Sequence, residues 1–269
     1  VGNNGPDFCV GANIAMIGIA AAQGLFDQVE AQVKGLQTAL FNLRHAPKPV
    51  ITAPHQRVLG GGVEVTMGGW ASVADHETYM GLVEVGVGLI PAGGGLKELL
   101  RRKMNPVMKT DNADPVPVMQ QIFQQVATAQ VGTSAWEDKA LGYLNDDDII
   151  VMGSDQRLAR AKQLALQLVA SGARPPEVEK VYAAGKDLLS ALYLGLQSFV
   201  WGGYASEHDQ LIGKKLAYVL CGGDLSGPAW VDPWYILDLE REAFLSLAGE
   251  KKTQERIMHM LQTGKPLRN

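Results

Sequence analysis

The stretch that most constrains this chain runs from Leu59 to Gly95, where two glycine triplets frame two glutamates. Glu64 and Glu84 stand 20 positions apart, each between two valines. Gly60-Gly61-Gly62 precede the first, and Gly93-Gly94-Gly95 follow the second. A carboxylate in an apolar run is costly to bury unless it is paired or used. Consecutive glycines let backbone approach a ligand closely and leave N–H groups free to bind it. Acid/base groups beside exposed N–H donors point to chemistry on a carbonyl.

Around this stretch the chain alternates short strands and helices. Ile14 to Gln23 is small and apolar and predicts a buried helix. Phe26, Val29, Val33, Leu36, Leu40 and Leu43 recur at spacings of three and four, an amphipathic helix that Pro47 and Pro49 end. Val50 to Ala53 reads as a strand, Val63 to Met67 as a helix, and Ala71 to Ala74 as a strand. A turn at 75–77 follows, then an extended piece over 79–83 and a helix over 94–103. This half is α/β.

Beyond it, Lys109 to Pro117 is a polar connector and Val118 to Ala129 a helix. Ser154 is read as the cap of a helix whose Leu158, Ala161, Ala165 and Leu168 share one face. Ser206 with Asp209 predicts a capping box. Two further helices are expected around Ile236–Leu247 and Thr253–Leu261. The expected organisation is an α/β core over 1–108 and a helical region over 109–269.

Net charge −4 argues against nucleic acid as the main partner. Two cysteines give no disulfide framework. The apolar run Ile14–Ala22 is far shorter than the ~20 residues that span a bilayer. The expectation is a cytoplasmic bacterial protein or one of an organelle matrix. The chain opens with Val1 and a Gly/Asn/Pro loop, so it reads as part of a longer protein.

Rival sites fare poorly. Pro91 occupies the third glycine position that a dinucleotide fingerprint starting at Gly86 would need. The five histidines are scattered, so no metal is expected. Asp146-Asp147-Asp148 reads as an exposed turn, and Ser206-Glu207-His208-Asp209 as capping rather than a triad, because adjacent helix positions face apart. Taken singly, Glu64 could be a carboxylate near a helix N-terminus, and Glu84 the polar residue of a half-buried strand. Together, beside a glycine turn, they favour catalysis.

Three blocks carry a resemblance. Phe8-Cys9-Val10-Gly11-Ala12-Asn13 is similar to the F-[SA]-A-G-A-D segment of the crotonase (enoyl-CoA hydratase/isomerase) superfamily. Lys48-Pro49-Val50-Ile51 with Leu59-Gly60-Gly61-Gly62-Val63-Glu64 resembles its K-P-V-I…L-G-G-G-x-E. Glu84 to Pro91 with Gly93-Gly94 resembles its P-E-x-x-x-G-[LI]-x-P-x-x-G-G, with Val83 replacing the first proline. The resemblance implies a spiral of ββα turns with an oxyanion hole from the Ala12 and Gly61 N–H groups. It also implies Glu64 as the base toward water and Glu84 as the proton donor to the α-carbon, with Val10, Gly11, Asn13, Ile14 and Gly60 as acyl-CoA contacts.

Asn13 stands where the family has Asp, and Ala15 where a basic residue is common. The C-terminal half is similar to the end of bifunctional 3-hydroxyacyl-CoA dehydrogenases. That implies hydration of trans-2-enoyl-CoA in fatty-acid β-oxidation, with NAD needed only by a dehydrogenase part N-terminal to this chain. No cofactor is expected here besides acyl-CoA as substrate. A homo-oligomer is expected. The alternatives are a Δ3,Δ2-enoyl-CoA isomerase and a non-catalytic acyl-CoA-binding or assembly module.

Overall fold

The computed structural model describes every residue from Val1 to Asn269. Helix α1 (Ile14–Ala22) starts where the Asn13 side chain accepts the Ala15 N–H at 3.1 Å. Helix α2 (Phe26–Arg44) carries Asp27 in its first turn and Arg44 in its last, the signs that suit the helix dipole. Then come β1 (Ile51–Thr52), β2 (Gln56–Leu59), α3 (Gly61–Met67), β3 (Ala71–Asp75) and β4 (Thr78–Gly81). A 3-10 turn over Glu84–Val87 leads to α4 (Gly95–Leu99), a π-helical segment Leu100–Met104 and α5 (Asn105–Met108). The order continues through α6 (Pro115–Ala127), α7 (Ala135–Ala140), β5 (Ile149–Val151), α8 (Ser154–Ala170) and β6 (Val181–Ala183). It ends with α9 (Lys186–Trp201), α10 (Glu207–Leu220), β7 (Ala229–Val231), α11 (Pro233–Ala248) and α12 (Lys251–Thr263).

The chain forms two compact units of interleaved segments. The first comprises Val1–Ala12, Leu36–Leu82 and Gln130–Val178, and the second Asn13–Gly35, Val83–Ala129 and Glu179–Asn269.

In the first unit a parallel sheet runs β1-β3-β5, with Ile51 opposite Ala71 and Val73 opposite Ile149. The expected α8 face closes it: Leu158, Ala161, Ala165 and Leu168 gather on Ile51, Ala53 and Val73. Complete burial of a side chain such as Val73 stabilises by about 1.5–3 kcal/mol. A second parallel pair, β2–β4, sets Leu59 opposite Gly81. The other edge of β4 is satisfied by side chains instead of a strand. Met80 N–H donates to Asp138 Oδ1 at 3.2 Å, and Leu82 N–H to the Tyr143 hydroxyl at 3.3 Å.

In the second unit β6 and β7 pair antiparallel, Tyr182 opposite Trp230. Helix α4 has no cap of its own, and the fully buried Glu240 of α11 supplies one, accepting Gly94 N–H and Lys97 N–H, each at 2.8 Å. Packing of α1 on α12 is close enough that a Cβ at Gly18 would lie 2.9 Å from Ile257.

Several expectations need correction. Helix α1 forms but is not buried, since Met16 and Ile19 are more than half exposed. Ser154 is the first residue of α8, not its cap, and Gly153 stands at the cap position. The connector ends sooner than Pro117, because Asp114 caps α6 and prolines fit the first turn of a helix. Asp148 is buried rather than part of an exposed turn: it accepts Ser72 N–H at 2.6 Å and Asn145 N–H at 2.7 Å. Helices α7 and α9 and strands β2, β6 and β7 are additions to the sequence reading.

Candidate active site

The first unit gathers one group of the expected residues. Strand β2 runs beside the 9–12 segment through a parallel bridge of Cys9 with Val58, and Leu59 N–H donates to Cys9 O at 2.9 Å. Gly60, at φ 55°, then turns the chain out of the strand and into α3. Its N–H is held by Gly81 O at 2.8 Å, at the end of β4.

The glycines of this turn have distinct tasks. A Cβ on Gly62 would lie 2.4 Å from Cys9 O, so only glycine lets α3 start against the 9–12 segment. A Cβ on Gly61 would instead point into the site. It would lie 3.9 Å from Ala12 N, and 4.0 Å from both Gly11 Cα and Glu64 Oε2. A Cβ on Gly11, at φ 97°, would face the same spot, 3.8 Å from Gly61 N. The N–H groups of Ala12 and Gly61 donate to no backbone acceptor of the chain.

Ala12 N, Gly61 and Glu64 Oε2 thus surround a small volume at the N-terminus of α3, where the helix dipole adds positive potential. Glu64 is 4% exposed and lies in the first helical turn. The arrangement can stabilise negative charge on an oxygen while a neighbouring carboxylate moves a proton. Val10 is 56% exposed beside it.

The remaining expected residues belong to the second unit. Asn13 spends its side-chain oxygen on capping α1, and Ile14 is the first residue of that helix. Glu84 opens the 3-10 turn and is not a strand residue as its structural alternative required. Its backbone carbonyl accepts Leu89 N–H at 3.1 Å, and its Oε2 is buried. Within this unit no other expected catalytic group joins it.

Sequence reasoning overlooked the groups that brace β4, Asp138 and Tyr143, both fully buried. The signal for Asp138 was a carboxylate in Ala135–Leu141, where the neighbours Ala135 and Leu141 are core residues. Burial pushes its carboxyl up to about 8; the Met80 N–H opposes this, and the neighbouring Glu137 charge adds to it.

No family model matches the chain. Its whole length is 45% identical to part of a "Probable 3-hydroxyacyl-CoA dehydrogenase" of Bacillus subtilis, of which it covers 34%. The chain spans about a third of the length of the curated relatives it matches. Among solved structures, a carnitinyl-CoA dehydratase from Mycobacterium thermoresistibile superposes with a TM-score of 0.63 at 15% identity, over 98% of this chain and 76% of that one. An enoyl-CoA hydratase from Bacillus halodurans gives 0.58 at 13% identity, over 94% and 76%. No helix is long and apolar enough to cross a membrane. With its mixed α/β architecture and these neighbours, the chain is a crotonase-fold protein.

Proposed function

We propose that the protein is an enoyl-CoA hydratase that adds water syn across the double bond of a trans-2-enoyl-CoA to give the 3-hydroxyacyl-CoA. The observation that carries the reading is the closeness of Ala12 N and Glu64 Oε2 to Gly61, where neither the Ala12 nor the Gly61 N–H donates to a backbone acceptor. Attack of water oxygen on C3 pushes electrons onto the thioester oxygen. Two preorganised donors stabilise that enolate-like charge, and loss of one such donor typically costs ~10²–10³-fold in rate. Glu64 takes the proton from water, and Glu84 delivers one to C2, so no proton is gained or lost overall. Val10, Gly11, Asn13, Ile14 and Gly60 are proposed to contact the acyl-CoA.

The match to a longer 3-hydroxyacyl-CoA dehydrogenase supports a place in fatty-acid β-oxidation. There the 3-hydroxyacyl product would pass to an NAD-dependent oxidation catalysed by another part of the same protein. A homo-oligomer is part of this reading and is checked by mass in solution.

The test is loss of the conjugated thioester absorbance of crotonyl-CoA. Turnover that falls at least ~10²-fold in both Glu64→Gln and Glu84→Gln is the expected result. Full hydration by both variants would sink it. Conversion of a 3-enoyl-CoA to the conjugated product without hydration would reassign the reaction to isomerisation. Tight acyl-CoA binding with neither reaction would make the chain a binding module.

A further inference from the structure

Glu84 sits on a four-residue turn, and 3-10 turns of this length have few bonds of poor geometry with which to fix themselves. Support comes from elsewhere in the same unit. Gly88 closes the turn in a left-handed conformation, φ 85°, and its carbonyl accepts the Thr253 hydroxyl at 2.9 Å. Thr253 Oγ1 lies 2.9 Å from His208 Nε2. Thr253 is fully buried and His208 is 4% exposed, so water does not compete for these bonds. The contact is also steric, since a Cβ on Gly88 would lie 2.8 Å from Thr253 Oγ1 and 3.0 Å from its Cα.

The hydrogen-bond arithmetic fixes the direction. A hydroxyl has one hydrogen, and a carbonyl can only accept. Thr253 therefore gives its hydrogen to Gly88 O and receives one from His208 Nε2.

His208 is also the member of the Ser206–Asp209 run that capping leaves unused. Ser206 and Asp209 exchange the capping-box bonds, and Asp209 pairs with Arg256 of α12 at 2.8 Å. Burial, and then the Arg256 cation, hold the His208 imidazole below its ordinary range. Lys252 acts the same way, and Glu250 and Asp209 oppose it.

We propose that His208 and Thr253 are positioning residues for Glu84, acting in series from α10 through α12 onto the carbonyl that closes its turn. The assignment rests on the reading of Glu84 as the proton donor in hydration. Neither side chain is assigned a contact with substrate.

The experiment measures kcat and KM for crotonyl-CoA separately, across pH, with the full chain. Thr253→Val keeps the shape and deletes the hydroxyl, and Thr253→Ser restores it. The expected loss in Thr253→Val is on the order of 10- to 100-fold in kcat with little change in KM. The pH-profile limb that Glu84→Gln removes should also shift, and Thr253→Ser should recover most of both. A folded Thr253→Val with wild-type kcat and pH profile overturns the assignment, and leaves the hydratase reading intact when Glu84→Gln is inactive. A wild-type protein without hydration overturns both together. If Thr253→Val does not fold, His208→Leu decides by the same readouts: reduced kcat with a shifted limb supports the relay, and wild-type values refute it.

Discussion

The two proposed acids are supported by opposite kinds of structure. Glu64 lies in the first turn of a helix whose start is pinned by backbone, through the Gly60–Gly81 bond and the contact of Gly62 with Cys9. Glu84 lies on a turn braced by a side chain that arrives from 165 positions away, Thr253 on Gly88. Backbone packing tolerates almost no change at a glycine. Side-chain bracing tolerates conservative change and can be tuned. The proton acceptor is therefore expected to be the rigid partner, and the donor the adjustable one.

The largest effect that would break this contrast is chemical. Glu64→Gln is expected to lower crotonyl-CoA turnover by ~10²–10⁴-fold while the unfolding midpoint stays close to wild type. A comparable fall in stability would mean that Glu64 holds the turn and does not act on substrate.

Asp138 tests the backbone-pinned side through pH. Its folded-state value of about 8 lies above the ordinary 3.8, so between these values the unfolded carboxyl is ionised and the folded one is protonated. The native state then binds the extra proton, and stability falls as pH rises from about 4 to about 8, by on the order of a few kcal/mol. Below that window both forms are protonated, and above it both are ionised. Urea unfolding of Asp138→Asn, which keeps an oxygen for Met80 N–H, should show a flatter dependence over that range. An unchanged slope would refute the protonated carboxyl.

Gly62→Ala forces a methyl onto Cys9 O and is expected to cost about 1–3 kcal/mol together with activity. Thermal unfolding with parallel turnover measurements checks it. A fully active, stable variant would show that the turn is not pinned by this contact.

The smallest effect concerns the side-chain-braced half. Ser206→Ala removes the hydroxyl that accepts Asp209 N–H at 3.1 Å and should cost ~1 kcal/mol. Calorimetry would read this as a drop of about 2–4 °C in the unfolding midpoint. Turnover at saturating substrate should change only slightly if the His208–Thr253 link survives.

Much of the fold was legible where local signals act alone. The spacing from Phe26 to Leu43 became α2, Gly60–Gly62 became the start of α3, and the Ser206/Asp209 box opened α10. The apolar face of α8 found its sheet. Misreadings fell where a distant partner overrides composition. Asp148 looks like part of an acidic turn until Ser72 N–H is placed against it. Strands β6 and β7 have three residues each, too short for a period-two pattern to emerge.

By itself, then, the sequence determined the glycine turn, the order of its elements and the types of the acid/base groups. Those depend on backbone freedom and on spacing within a few residues. Only the tertiary structure decided that Ala12 N and Glu64 Oε2 lie beside Gly61, that Asp138 and Tyr143 close the edge of β4, and that Thr253 stands behind Gly88. Such contacts join residues far apart in the chain, and no local periodicity encodes which buried donor will meet which acceptor.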